Sequence, residues 1–134
     1  DVAPSPRLQS ADDTRTAPTA TAFNRKPVEK VGQRRMLVTA YCANACCCGK
    51  YANGKTASGH SVRTNGGKLV AADTRILPFG SMVQIPGYDQ GNIVPVLDRG
   101  GKIKGNRLDL LMPTHKQAMH WGARWITVNI YDYR

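Results

Sequence analysis

The chain has 134 residues, enough for one domain with a real core and too few for two. It contains no apolar run long enough to cross a membrane as a helix. The 19 Lys and Arg against 9 Asp and Glu give a formal net charge of +10, a field that suits polyanions such as nucleic acid, anionic lipid or a wall bearing carboxylates and phosphates, or that serves solubility alone.

Residues 1–33 are rich in Ala, Thr, Pro and Ser, with Val2, Leu8, Phe23, Val28 and Val31 as the larger apolar residues. So little apolar surface cannot offset the entropy of ordering, and the segment reads as a disordered tether ahead of a domain at residues 34–134. The chain opens on Asp1 without a basic-then-apolar leader, so any signal peptide is expected to be absent or already removed, and secretion is compatible with that opening. Glu29 is the sole glutamate and lies outside the expected domain, which leaves carboxylate chemistry to Asp73, Asp89, Asp98, Asp109 and Asp132.

From Met36 the apolar runs become short and β-rich: Met36 to Tyr41, Lys68 to Ala72, Met82 to Ile85, Ile93 to Leu97, Arg107 to Met112 and Trp125 to Tyr131. Gly and Pro punctuate them, and six such strands suggest a small closed barrel. Pro95 within one run argues for an edge or a bulge there. One helix is expected at about Thr114 to Trp121: Thr114 and Gln117 form a capping box, Ala118, Met119 and Trp121 supply an apolar face, and Gly122 suits the stop. His115 and His120 on or beside it read as surface or capping residues, since no nucleophile motif accompanies them.

The four cysteines fall in Tyr41-Cys42-Ala-Asn-Ala-Cys46-Cys47-Cys48-Gly49. Each complete pairing forces a bond within the consecutive trio, which disulfide geometry resists. One bridge from Cys42 to Cys46, Cys47 or Cys48 is therefore expected, the member being open. Metal binding is the competing use, but neither Cys-x-x-Cys spacing nor a second pair is present. No metal and no cofactor are expected. Nor is nucleic acid, because the sequence holds no helix-turn-helix, zinc-finger or RNP-like pattern and its basic residues are scattered.

The stretch richest in chemical meaning is Val96-Leu97-Asp98-Arg99-Gly100-Gly101-Lys102-Ile103-Lys104-Gly105-Asn106-Arg107-Leu108-Asp109-Leu110-Leu111, two strand-like runs that each carry one aspartate. Alternation puts Arg107, Asp109 and Leu111 on one face and Leu108 with Leu110 on the other. With the second face in the core, Asp109 faces a groove, partly desolvated yet near charge, where a raised pKa suits a general acid. A buried aspartate that merely bonds strand-end amides is the plainer reading. Asp98, before Arg99-Gly100-Gly101, reads on its own as a turn residue bonding its downstream amides, and Asp73, before Thr74, as either a turn cap or a site residue.

Taken with Leu69-Val-Ala-Ala-Asp73, Leu77-Pro-Phe-Gly-Ser81, Ile85-Pro-Gly-Tyr88, Lys104-Gly-Asn-Arg-Leu-Asp-Leu110 and His120-Trp-Gly122, this stretch resembles the 3D domain, named for three aspartates, here Asp73, Asp98 and Asp109. The resemblance runs from about Met36 to Tyr131. That family is similar to the catalytic domain of membrane-bound lytic transglycosylase A and shares a double-psi β-barrel with barwin, expansins and small endoglucanases. The resemblance implies a mainly all-β, six-stranded double-psi barrel and a secreted, periplasmic or cell-wall location. It also implies a peptidoglycan lytic transglycosylase, which cleaves the MurNAc–GlcNAc bond and leaves 1,6-anhydro ends. Such an enzyme needs no activated water: the muramyl C6 hydroxyl attacks, so one carboxyl group serves as acid and then as base, whereas a hydrolase needs a second carboxylate.

The family pattern gives that principal role to Asp109, with Asp98 and Asp73 in support. Thr56-Ala-Ser-Gly59 resembles a family segment beside the groove, making Thr56, Ser58 and Gly59 candidates for sugar binding or simply a turn. Lys55 and Lys104 are candidates for the substrate's carboxylates or plain solvated charges; Tyr41 and Trp121 are candidates for stacking or core. Cysteines after Thr39-Ala-Tyr41 fit the family, but the triple run departs from it. Two other readings stay open: an expansin- or barwin-like module that binds wall glycan without cutting it, and an inverting hydrolase with Asp109 as acid and another aspartate as base.

Overall fold

The computed structural model describes residues 4–5, 8–9, 22–43 and 54–134. Pro4–Ser5 (β1) and Leu8–Gln9 (β2) form a short antiparallel pair. Ala22–Phe23 (β3) turns back onto Lys26–Cys42 (β4) through Asn24 and Arg25, both at positive φ as a tight two-residue hairpin loop requires. Val70–Ala72 (β5), Met82–Gln84 (β6), Ile93–Asp98 (β7), Arg107–Met112 (β8), the helix His115–Trp121 (α1) and Arg124–Tyr133 (β9) follow.

Six of these strands close a barrel in the order β4-β8-β5-β7-β6-β9, with β9 pairing back onto β4. β4 runs parallel to β8 and β5 parallel to β7, while the remaining pairs are antiparallel. Closure removes the open edges that a small sheet would otherwise expose. The core is built by alternation: Met36 and Val38, Val70 and Ala72, Val94 and Val96, and Leu108 and Leu110 each point inward from one strand and are buried together with Val83 and Val128. Among the described residues the architecture is therefore a mainly β fold with six barrel strands and one α-helix, as the sequence pattern leads one to expect.

Two expectations need correction. The boundary at residue 34 falls inside β4, whose first residues, Val28 to Arg35, pair antiparallel with Thr127 to Tyr133 of β9. This ribbon is stabilised by main-chain hydrogen bonds, which leave no signature in composition. Val28 is its one buried side chain before Met36, packed against Met82, Ile93 and Tyr131. The helix is capped as expected, with the Gln117 amide donating to Thr114 Oγ1 at 3.1 Å and Gly122 ending it at φ 72. Its apolar face, however, is Ala118 and Trp121 alone, while Met119 is 69% exposed. Trp121 belongs to the core, where its indole N–H donates to the Val38 carbonyl at 3.0 Å.

Pro95 lies within a closed barrel yet causes no break. The amide of the next residue, Val96, points to β6 and donates to Ser81 O at 2.8 Å, so alternation turns the Pro95 nitrogen towards β5. There the β5 pairing starts only at Val96. The bulge falls beyond, at Leu97, where the register slips between Val70↔Val96 and Ala71↔Asp98.

Candidate active site

Asp109 and Asp98 are brought together by pairing, although ten residues of loop and strand lie between them in sequence. Ala71 of β5 is the register partner of Asp109 on one side and of Asp98 on the other. Paired residues face the same way across a sheet, so the two carboxylates stand on the barrel's outer face with the Ala71 methyl between them. Two interstrand steps put their backbones roughly 9–10 Å apart. On the far side of Asp109 the partner is Thr39 of β4. A row Thr39–Asp109–Ala71–Asp98 thus crosses four strands, opposite in orientation to the core residues Val38, Leu108, Leu110 and Val70.

Thr39 Oγ1 donates to Asp109 Oδ1 at 2.9 Å and, more loosely, to the Leu108 carbonyl at 3.3 Å. Burial pushes the Asp109 carboxyl above its ordinary value; the Thr39 hydroxyl and the charge of Arg107 oppose this, and the nearby charge of Asp98 adds to it. Arg107 Nε is itself buried without a hydrogen-bond partner among the described residues. Beside the row on the same outer face, Leu69, Leu97 and Leu111 form a further apolar cluster with Tyr41 and Val62 packed against it. Leu111 sets it two residues along β8 from Asp109.

Asp98 is held from three directions. Tyr41 Oη donates to Oδ2 at 2.8 Å, and the amides of Ala57 and Arg99 both donate to Oδ1 at 2.9 Å. The Arg99 bond is the turn interaction read from sequence; the other two come from elements distant in the chain. Tyr41 is accordingly a half-buried support for Asp98.

Asp73 is a loop anchor. Arg75 grips it through Nε to Oδ1 at 3.0 Å and a terminal nitrogen to Oδ2 at 2.9 Å, its amide adds a bond to Oδ1 at 3.1 Å, and the Gly105 amide donates to Oδ2 at 2.9 Å. These bonds, the Arg75 side chain first, hold the Asp73 carboxyl well below the usual carboxylate range. A carboxylate so occupied positions the 99–106 loop and has no oxygen open to a substrate.

The Thr56–Gly59 segment forms a tight turn, with Gly59 at φ +87 donating to Thr56 O at 2.9 Å. Ser58 N donates to Leu97 O at 3.2 Å, which seats the turn on the end of β7 beside Asp98. Thr56 is buried, Ser58 half-buried and Gly59 exposed. A polar chain runs Thr56 Oγ1 to Ser58 Oγ at 2.9 Å and on to His60 Nδ1 at 2.8 Å. His60 escaped the sequence reading; its spacing of two from Ser58, across a glycine, is the signal that marks it. Lys55 is exposed and bridged to Ser61. Lys104, with Arg99, Gly101 and Arg75, lines a cleft of about 450 Å³ adjoining Asp98. Cys42 is buried at the end of β4; Cys46, Cys47 and Cys48, and hence the expected bridge, lie outside the described residues. No group of three or more His, Cys, Asp or Glu among the described residues has metal-site geometry.

A closed β-barrel with two aspartates flanking a small residue on its outer face, and a third anchoring the loop between their strands, is the three-aspartate arrangement. Residues 68–132 match the 3D domain, and this part of the chain belongs to that family. The chain is 31% identical over 114 residues to the cell wall-binding protein YocH of Bacillus subtilis (strain 168), a match covering 84% of this chain and 37% of that protein. It is 42% identical over 64 residues to the probable endolytic peptidoglycan transglycosylase RlpA of Aquifex aeolicus (strain VF5), covering 46% of this chain and 27% of that protein. The chain spans about a third of the length of the curated relatives it matches. Among solved structures, the Streptomyces papain inhibitor shares the fold at 17% identity and a TM-score of 0.53, over 75% of this chain and 96% of that one. The lytic transglycosylase MltA of Escherichia coli matches at 24% identity and a TM-score of 0.45, over 60% of this chain and 28% of that one.

Proposed function

We propose that this domain acts on the bacterial cell wall as a peptidoglycan lytic transglycosylase, with Asp109 as the group that first protonates the glycosidic oxygen and then takes the proton of the muramyl C6 hydroxyl. The observation that carries the reading is the setting of Asp109: a partly desolvated carboxyl, pushed towards its neutral form, on an outer face with Asp98 two strands away. A neutral acid in such a place is what leaving-group protonation requires. Asp98, fixed by Tyr41, Ala57 and Arg99, is the negative group that favours positive charge building on the sugar. Asp73 acts through the loop it anchors. The relative named as a peptidoglycan transglycosylase supports the chemistry, and the net positive charge suits an anionic wall polymer.

A second reading, wall binding without cleavage, draws support from the relative named as a cell wall-binding protein. Digestion of purified peptidoglycan with mass analysis of the fragments separates the possibilities. Anhydro-muramyl ends support the transglycosylase; reducing ends indicate an inverting hydrolase with Asp98 as base; intact sacculi that retain the protein indicate a binding module. Asp109→Asn is expected to lower cleavage by at least about 10²–10⁴-fold while leaving the fold intact. Cutting by this variant at the native rate would overturn the assignment.

A further inference from the structure

The cleft beside Asp98 carries charge that neither the fold nor the proposed acid uses. Ala57, whose amide donates to Asp98, and Arg99, the next residue after Asp98, both line it, so the cleft adjoins the Asp98 end of the row. Its walls hold three cations, Arg75, Arg99 and Lys104, against one acid, Asp73. Both oxygens of Asp73 are taken by Arg75 and the Gly105 amide, which neutralises Arg75 within the pair. Arg99 and Lys104 have no carboxylate partner among the described residues, and Arg99 is steadied over the Phe79 ring with its guanidinium 6.0 Å from the centroid. A volume of about 450 Å³ is ample for a carboxylate-bearing substituent.

We propose that this cleft receives a carboxylate carried by the glycan strand next to the bond being cut, with Arg99 supplying a forked contact and Lys104 a point charge. The inference rests on the peptidoglycan reading above. In such a strand each muramyl unit bears a 3-O-lactyl carboxylate, either free or amide-linked to a peptide that ends in carboxylates of its own. A chitin-like strand bears none. The cleft therefore makes charge, rather than sugar shape alone, the means by which the barrel distinguishes a muramyl strand from other β-linked N-acetylhexosamine chains.

The test measures equilibrium binding with the Asp109→Asn protein, so that strands stay whole, and with the same protein carrying Arg99→Ala and Lys104→Ala. Three ligands are compared: peptide-free glycan strands, peptide-bearing strands, and peptide-free strands whose carboxylates have been converted to neutral amides. The double change is expected to weaken binding to carboxylate-bearing strands by about tenfold or more, and to leave binding to the amidated strands unchanged. A charge-dependent loss with peptide-free strands identifies the lactyl group as the source; a loss confined to peptide-bearing strands identifies the stem; either supports the proposal. Equal losses on charged and amidated strands, or no loss on any, would overturn it while leaving the glycan reading standing. Failure of the Asp109→Asn protein to bind any of the three would remove that reading and this inference together.

Discussion

Thr39 is the partner through which the state of Asp109 can be adjusted without touching the carboxylate. Its hydroxyl donates to Oδ1 at 2.9 Å and so favours the ionised form against the upward push of burial. Thr39→Val removes that donor at nearly constant volume. A hydrogen bond to a charged group contributes about 1.5–3 kcal/mol; because both side chains are only half-buried and water recovers part of the loss, about 1 kcal/mol against the ionised form is expected. The Asp109 titration should therefore move to higher pH, read directly from carboxyl ¹³C shifts in aspartate-labelled protein. In cleavage assays the alkaline limb of the pH profile, set by loss of the acidic proton, should move the same way. The stability sign follows. The folded carboxyl lies above its ordinary value of 3.8, so the folded state binds the proton more tightly. Stability is lost as pH rises from there through the folded value, and Thr39→Val enlarges that loss at neutral pH. A midpoint that stays put or falls would refute the reasoning.

Asp73→Asn should be less stable than the native chain at neutral pH. Since the folded carboxyl sits far below 3.8, its contribution is complete above that value and fades as pH falls below it, so the gap in thermal midpoint should narrow in acid; a gap independent of pH would count against the Arg75 clamp. Trp121→Phe leaves the buried Val38 carbonyl without its indole donor and should cost about 1–3 kcal/mol in urea unfolding, with no loss at all indicating that the carbonyl finds another partner. Thr114→Ala removes the helix cap and should cost about 1 kcal/mol; a greater cost than that of Trp121→Phe would mean that capping, rather than packing of the helix, holds α1 in place.

The six barrel strands were legible because each core strand alternates: Val94 with Val96 and Leu108 with Leu110 sit two apart and face inward. The same alternation placed Asp109 on the outer face. The start of β4 was not legible, since backbone pairing of Val28 to Arg35 with β9 asks almost nothing of the side chains. The surroundings of the aspartates were hidden for a different reason. Thr39 meets Asp109 and Tyr41 meets Asp98 across 70 and 57 residues of chain, through parallel pairing and loop docking that no local pattern announces. Asp73 illustrates the ambiguity of the residue itself: a turn aspartate beside an arginine looks the same in sequence whether it anchors a loop or touches a substrate.

The two parallel pairings, β4 with β8 and β5 with β7, carry a kinetic consequence. Such contacts join distant parts of the chain and reward their loop-closure cost only late, so folding should be slow for a molecule of this size. Until β8 has slotted between β4 and β5, Asp109 is an ordinary solvated carboxyl, with neither hydroxyl partner nor apolar backing. A nascent or partly unfolded chain therefore lacks the setting that raises this carboxyl, and ring closure itself supplies it.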